Sequence, residues 1–139
     1  MNGMNNHVTS LELSKKLKAV RIEQKSEFYW RPQTEYGRTE YHLYRNGEFF
    51  EEGHNTFGRN PGDYSAFLAS ELLEMLPREI PKNLDEFLLG INSYFEDSWE
   101  WGVEYLSHGD YETLHFVHHK SLSEAAGETA LWAKENGYL

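Results

Sequence analysis

The sequence contains no cysteine, which excludes disulfides, thiolate metal sites and a cysteine nucleophile. Proline is scarce, at four residues, and each falls at an expected element limit or turn. No apolar run approaches the length that spans a bilayer. The opening MNGMNNHVTS has no basic region followed by an apolar run, so no secretory signal is read there. Basic residues are scarce beyond the first quarter of the chain. Residues 1–38 hold seven Lys/Arg against four Asp/Glu, whereas residues 39–139 hold six against nineteen. The formal net charge of −10 sets the whole-molecule field against a phosphate backbone. Nucleic acid is therefore not an expected partner, although Lys15, Lys16, Lys18, Arg21, Lys25 and Arg31 are the residues a nucleic-acid face would use. The glycine-rich segment 53–62 lacks the Gly-Lys-Ser/Thr ending of a phosphate loop.

What remains is aromatic and patterned. Eight Phe, nine Tyr and four Trp among 139 residues describe an ordered chain of single-domain size. Residues 1–7 read as a disordered leader and 8–139 as one domain. Its centre is the stretch 85–119. Trp99, Trp101, Val103 and Tyr105 alternate with Glu100, Gly102 and Glu104, the period of a strand with one dry face. Phe87, Leu89 and Ile91 alternate in the strand before it. A third strand runs from Tyr111 to His118, with Leu114 and Phe116 on one side and Thr113, His115 and Val117 on the other. Earlier, Glu27–Arg31 and Thr39–Tyr44 read as strands. Asn46-Gly47 is a hairpin turn leading to Glu48–Phe50.

Three helices are expected. The first spans Val8–Val20, with Thr9 as N-cap and Glu12 completing a capping box. The second starts at Tyr64 or Ser65 and stops before Pro77. The third spans Leu122–Asn136, with Ser121 and Glu124 at its start and Gly137 as its left-handed C-terminal cap. Ala126 and Ala130 on this helix permit close approach. The expected fold is α+β: a mostly antiparallel sheet of about five or six short strands with N-terminal, middle and C-terminal helices packed on it.

The segments TSLELSKKLK, SEFYW, ASELLEMLPREI and SLSEAAGETALWAKENGYL together resemble a family of small uncharacterised proteins of bacteria and their phages or prophages. The likeness covers most of the chain and is best in the ending Trp-x-x-Glu-Asn-Gly-x-Leu. It implies an α+β fold and a phage-related accessory protein in a bacterial cytoplasm. It carries over no catalytic residue and no cofactor.

No residue pattern reads as a catalytic site. His115, His118 and His119 are the candidates for a metal. In a strand, however, His118 and His119 point to opposite faces, and His115 and His119 stand about 13 Å apart at roughly 3.3 Å per residue. A small metal-dependent hydrolase built on these histidines and nearby glutamates is the alternative to a non-enzymatic accessory protein. Tyr29, Trp30 and Trp132 are the aromatics expected to be spare for a protein partner or a second copy, and His54 and Arg59 in the glycine-rich loop are candidate ligand contacts.

Overall fold

The computed structural model describes residues 6–46, 60–82, 85–107, 109 and 112–139. Two antiparallel sheets and three helices make up the fold. The first sheet has the order β2-β1-β3, from β1 (Phe28–Glu35), β2 (Arg38–Arg45) and β3 (Tyr64–Ala66). The second has the order β4-β5-β6-β7, from β4 (Glu79–Lys82), β5 (Asp85–Phe95), β6 (Trp99–Ser107) and β7 (Thr113–His119). The helices are α1 (Leu11–Ala19), α2 (Ala69–Met75) and α3 (Leu122–Glu135). The α+β class is as the residue pattern predicts, but the strands divide into two sheets rather than one.

β1 runs four residues past the expected limit and includes Pro32, which faces Tyr41 across the β1–β2 ladder. β3 pairs only with Phe28, Tyr29 and Trp30. At Pro32 that side of β1 has no strand partner, so the missing N–H breaks no ladder bond. The turn to β2 is the two residues Tyr36 and Gly37, both at positive φ (51° and 76°), as the twist of a two-residue hairpin demands. The expected strand Glu48–Phe50 lies outside the described residues.

The first turn of the expected second helix is strand β3 instead. Tyr64, Ser65 and Ala66 complete β1, and α2 begins only at Ala69. Glu71 makes that start. Its carboxylate accepts from Leu68 N (2.8 Å), Ser26 Oγ (2.8 Å) and Glu27 N (3.1 Å), tying α2 to the entry of β1.

The cap of α1 is Ser10, one residue later than expected; its Oγ accepts from Leu13 N at 3.2 Å. Thr9 has other work. Its N–H donates to Phe67 O, and its buried Oγ1 accepts from Phe67 N at 3.0 Å and bonds Ser14 Oγ at 2.7 Å. Glu124 of α3, rather than Glu12, accepts from Ser10 N. The helix ends in a Schellman motif. Ile22 N donates to Leu17 O and Arg21 N to Lys18 O, with Arg21 in the left-handed region at φ 67°. α3 ends in the same motif, Tyr138 N to Ala133 O and Gly137 N to Lys134 O. There the left-handed position is Gly137, as expected, at φ 80°.

Leu13 and Leu17 of α1, Leu72 of α2 and Ala126 and Ala130 of α3 close around Phe67 as the main core. The small residues of α3 let the helices approach closely. A Cβ added at Gly127 would lie 2.6 Å from Leu13 Cδ2 and 3.0 Å from Thr9 Cγ2. A second cluster joins α3 to the larger sheet through Ile80, Phe87 and Tyr105, with Leu89, Leu114, Trp132 and Tyr138 against them. Leu114 packs here, away from Phe116, because the register shifts between Tyr105 and Leu106. That bulge gives β7 one extra residue and turns Leu114 toward the helix side.

Candidate functional site

The β5–β6 ladder pairs Leu89 with Tyr105, Ile91 with Val103, Ser93 with Trp101 and Phe95 with Trp99. All eight side chains therefore share one face. The near half of this face is dry: Val103 and Tyr105 are fully buried, and Tyr105 sits against Trp132 of α3. Its hydroxyl donates to Pro77 O at 2.7 Å, and burial pushes the phenol up to about 12.

The far half is bare. Ile91 is 45% exposed, Phe95 60%, Trp99 69% and Trp101 42%. The Phe95 and Trp99 rings touch, with centroids 5.5 Å apart. The cause is a mismatch of lengths. β5 has 11 residues and α3 has 14. At their respective rises they span about 36 Å and about 21 Å, so the helix cannot cover the hairpin to its tip.

On the opposite face of the same hairpin Leu88 and Asn92 are exposed and Tyr94, Glu100 and Glu104 are half-buried. Tyr94 and Phe116 flank Gly102, where an added Cβ would meet Phe116 Cε2 at 3.1 Å and Tyr94 Cε1 at 3.5 Å. His118 stands against both rings, and its Nδ1 lies 2.9 Å from Glu100 Oε2. Glu104 accepts from Asn92 Nδ2. The Tyr94 hydroxyl is held above its ordinary value by desolvation and then by Glu100 and Glu96. Leu88 and Phe116, at 40% and 47% exposed, add apolar area. Gly102 and Gly90 leave room for this surface layer, since their missing side chains are replaced by the neighbouring rings and by Glu104.

The histidines do not converge. His115 is stacked on Trp132 with centroids 4.3 Å apart, and its Nε2 lies 3.0 Å from Thr129 Oγ1. Thr129 Oγ1 already donates to Ala125 O, so His115 Nε2 carries the proton of that contact. Burial lowers the His115 pKa. His118 lies on the Tyr94 face beside Glu100, and His119 Nδ1 accepts from Ser121 N at the start of α3. Among the described residues no three of His, Asp or Glu come together as a metal ion would need.

The aromatics expected to be spare are used inside. Tyr29 is fully buried and stacked on Tyr44. Trp30 packs on the cluster of Val8, Phe28, Leu43 and Ala66, and its indole N–H donates to Thr9 O at 3.0 Å. Trp132 lies among His115, Tyr105 and Tyr138. His54 and Arg59 lie outside the described residues. Arg31 is bound by Asp63 through two nitrogens, at 3.0 and 2.8 Å, and Asp63 also accepts from Asn60 N. Lys15 and Lys18 lie over the rings of Tyr41 and Tyr64. Lys18 also donates to Pro61 O and Asp63 O, so much of the basic N-terminal part is engaged within the fold. A shallow polar depression on the β1–β2 hairpin is lined by Gln33, Glu35, Arg38, Glu40 and His42. It brings no nucleophile beside a base.

Among the described residues, exposed apolar side chains gather at Ile91, Phe95, Trp99 and Trp101 on one face of the hairpin, with Leu88 and Phe116 on the other. Alternation alone reads the first four as the dry face. The length of β5 against that of α3 is the signal that could have placed them outside. No family model, curated protein or solved structure matches the chain. Among the described residues, no helix is long and apolar enough to cross a membrane.

Proposed function

We propose that this protein is a small accessory protein that works by protein–protein contact, and that the outer half of the β5–β6 hairpin is its docking surface. The observation that carries this reading is the cluster of Ile91, Phe95, Trp99 and Trp101 on one uncovered face. Aromatic side chains offer roughly 150–250 Å² each, so the exposed part of the four amounts to several hundred Å². The largest apolar patch on a typical monomer is of this size and is often functional. Trp is also the residue most enriched among those that dominate binding energy. β4 holds the base of the hairpin at Asp85–Leu88, β7 runs beside Trp101–Leu106, and α3 lies beneath the base, so the patch projects from a held base. The phage or prophage setting is part of the same proposal and rests on the resemblance of the four segments quoted above.

Photo-crosslinking in bacterial cells tests the docking surface. A benzophenone side chain is placed at Trp99 and, as control, at Tyr36, which is 97% exposed on the tip of the other hairpin. Discrete protein adducts at position 99 that are absent at position 36 are expected. Equal, diffuse labelling at both positions would refute the assignment.

A further inference from the structure

The charge around the bare hairpin face selects among the occupants it can take. Residues 85–107, which form β5, β6 and their turn, contain Asp85, Glu86, Glu96, Asp97, Glu100 and Glu104 and no Lys or Arg. Glu96 and Asp97 lie in the turn, beside Phe95 and Trp99. Glu100 and Glu104 lie on the reverse face, beside Tyr94 and Phe116. The apolar patch is thus rimmed on the turn side by Glu96 and Asp97, while on its β7 side His119 lies opposite Trp101 and Lys120 follows it.

A second copy of the chain would bring a net charge of −10 against an equal one, which opposes association. A nucleic acid would meet the same repulsion. A cationic segment gains on every count. Its apolar residues cover Ile91, Phe95, Trp99 and Trp101, its ammonium or guanidinium groups meet Glu96 and Asp97, and its long aliphatic stems lie along the rings. From Ile91 to Phe95 the face is about 13 Å long, which a little over two turns of helix would match.

We infer that the occupant of the β5–β6 hairpin is a basic amphipathic segment of another protein, with apolar residues on one side and Lys or Arg flanking them. This rests on the docking reading above and adds the chemistry of the partner.

Three synthetic peptides of one length serve as probes: Leu and Lys in amphipathic helical order, the same with Glu for Lys, and the same with Ser for Leu. Binding is read by calorimetry and by tryptophan emission, at low and high salt, with sedimentation of the protein alone. The expected result is binding of the Leu/Lys peptide with a blue shift of emission. Its affinity should fall by about tenfold or more in the Trp99→Ser/Trp101→Ser variant. A comparable fall is expected in the Glu96→Gln/Asp97→Asn variant and in high salt. Both variants change exposed positions, and their circular dichroism should match the parent.

Equal binding of the Leu/Glu peptide, or a dimer that Trp99→Ser/Trp101→Ser dissolves, would overturn the basic partner while leaving the docking face standing. Leu/Lys binding that the tryptophan variant leaves unchanged, or binding of none of the three peptides, would overturn the inference. Unchanged binding would also count against the docking face itself.

Discussion

Replacing Gly127 by Ala sets local propensity against packing, and the structure decides the sign. In the middle of a helix, Gly to Ala is worth about 1 kcal/mol in favour of Ala. At this position the new methyl would stand 2.6 Å from Leu13 Cδ2 and 3.0 Å from Thr9 Cγ2. Neither neighbour gives way freely. Leu13 is buried against the main core, and Thr9 is held by its bonds to Phe67 and Ser14. Overpacking of this kind costs about 1–3 kcal/mol, so α1 and α3 must part and the net effect is a loss of up to about 2 kcal/mol. Urea denaturation followed by circular dichroism measures it. Leu13→Ala provides the internal control. It removes the closest atom, so Gly127→Ala should cost less, or stabilise, in that background. The two changes would then show a coupling of 0.5 kcal/mol or more, within the range of residues in contact. A Gly127→Ala protein that is more stable than the parent by the propensity term would refute the close approach of the two helices.

Three further outcomes are expected. Arg21→Gly should stabilise by about 0.5–1 kcal/mol, since it places glycine at the left-handed position of α1 that Gly137 fills in α3; a loss in the same urea assay would count against the motif. Asp63→Ala removes the acceptor of two guanidinium bonds and of Asn60 N and should cost about 3 kcal/mol, whereas a change below about 1 kcal/mol would show that the pair is not structural. The His115 imidazole has its pKa lowered by burial, so below the ordinary value of about 6.5 the unfolded chain takes up the proton more readily. Its contribution to stability is therefore complete above that pH and is lost as pH falls through the lowered value. His115→Gln should flatten this part of the stability profile, and an unchanged slope in the variant would assign it to other groups.

The strands β5, β6 and β7 and the ends of α3 were legible in the sequence because each rests on local chemistry, whereas β4 (Glu79–Lys82) was not expected as a strand. Alternation marks β5 and β6, Ser121 caps α3, and Gly137 closes it. The departures occur where a distant partner decides. Tyr64–Ala66 is apolar enough for either a helix or a strand, and the open edge of β1 settles it. Thr9 has the side chain of an N-cap, but Phe67 claims it and Ser10 takes the role. Pro32 reads as a strand stop until the short reach of β3 shows that no ladder bond is lost. The exposed face of the β5–β6 hairpin was half legible. The shared face of Trp99, Trp101, Val103 and Tyr105 follows from the period of two, but where shelter ends along that face depends on how far α3 extends over it. The roles expected of Tyr29, Trp30 and Trp132 could not be weighed against burial from composition, because aromatic content does not say which rings the core consumes.

The contact between Ser10 and Glu124 has a consequence for the order of assembly. It joins residues 114 apart in sequence, and the core around Phe67 draws on α1, α2 and α3 together. The N-terminal helix meets Phe67 midway along the chain but completes its packing only once α3 has been synthesised, and a helix of nine residues has little stability of its own until then. The β5–β6 and β6–β7 pairings need only local chain, and loop closure is least costly for them. On the ribosome the acidic, aromatic meander would be present before its covering helix, and the carboxylates along it would keep neighbouring nascent chains apart while it waits for α3.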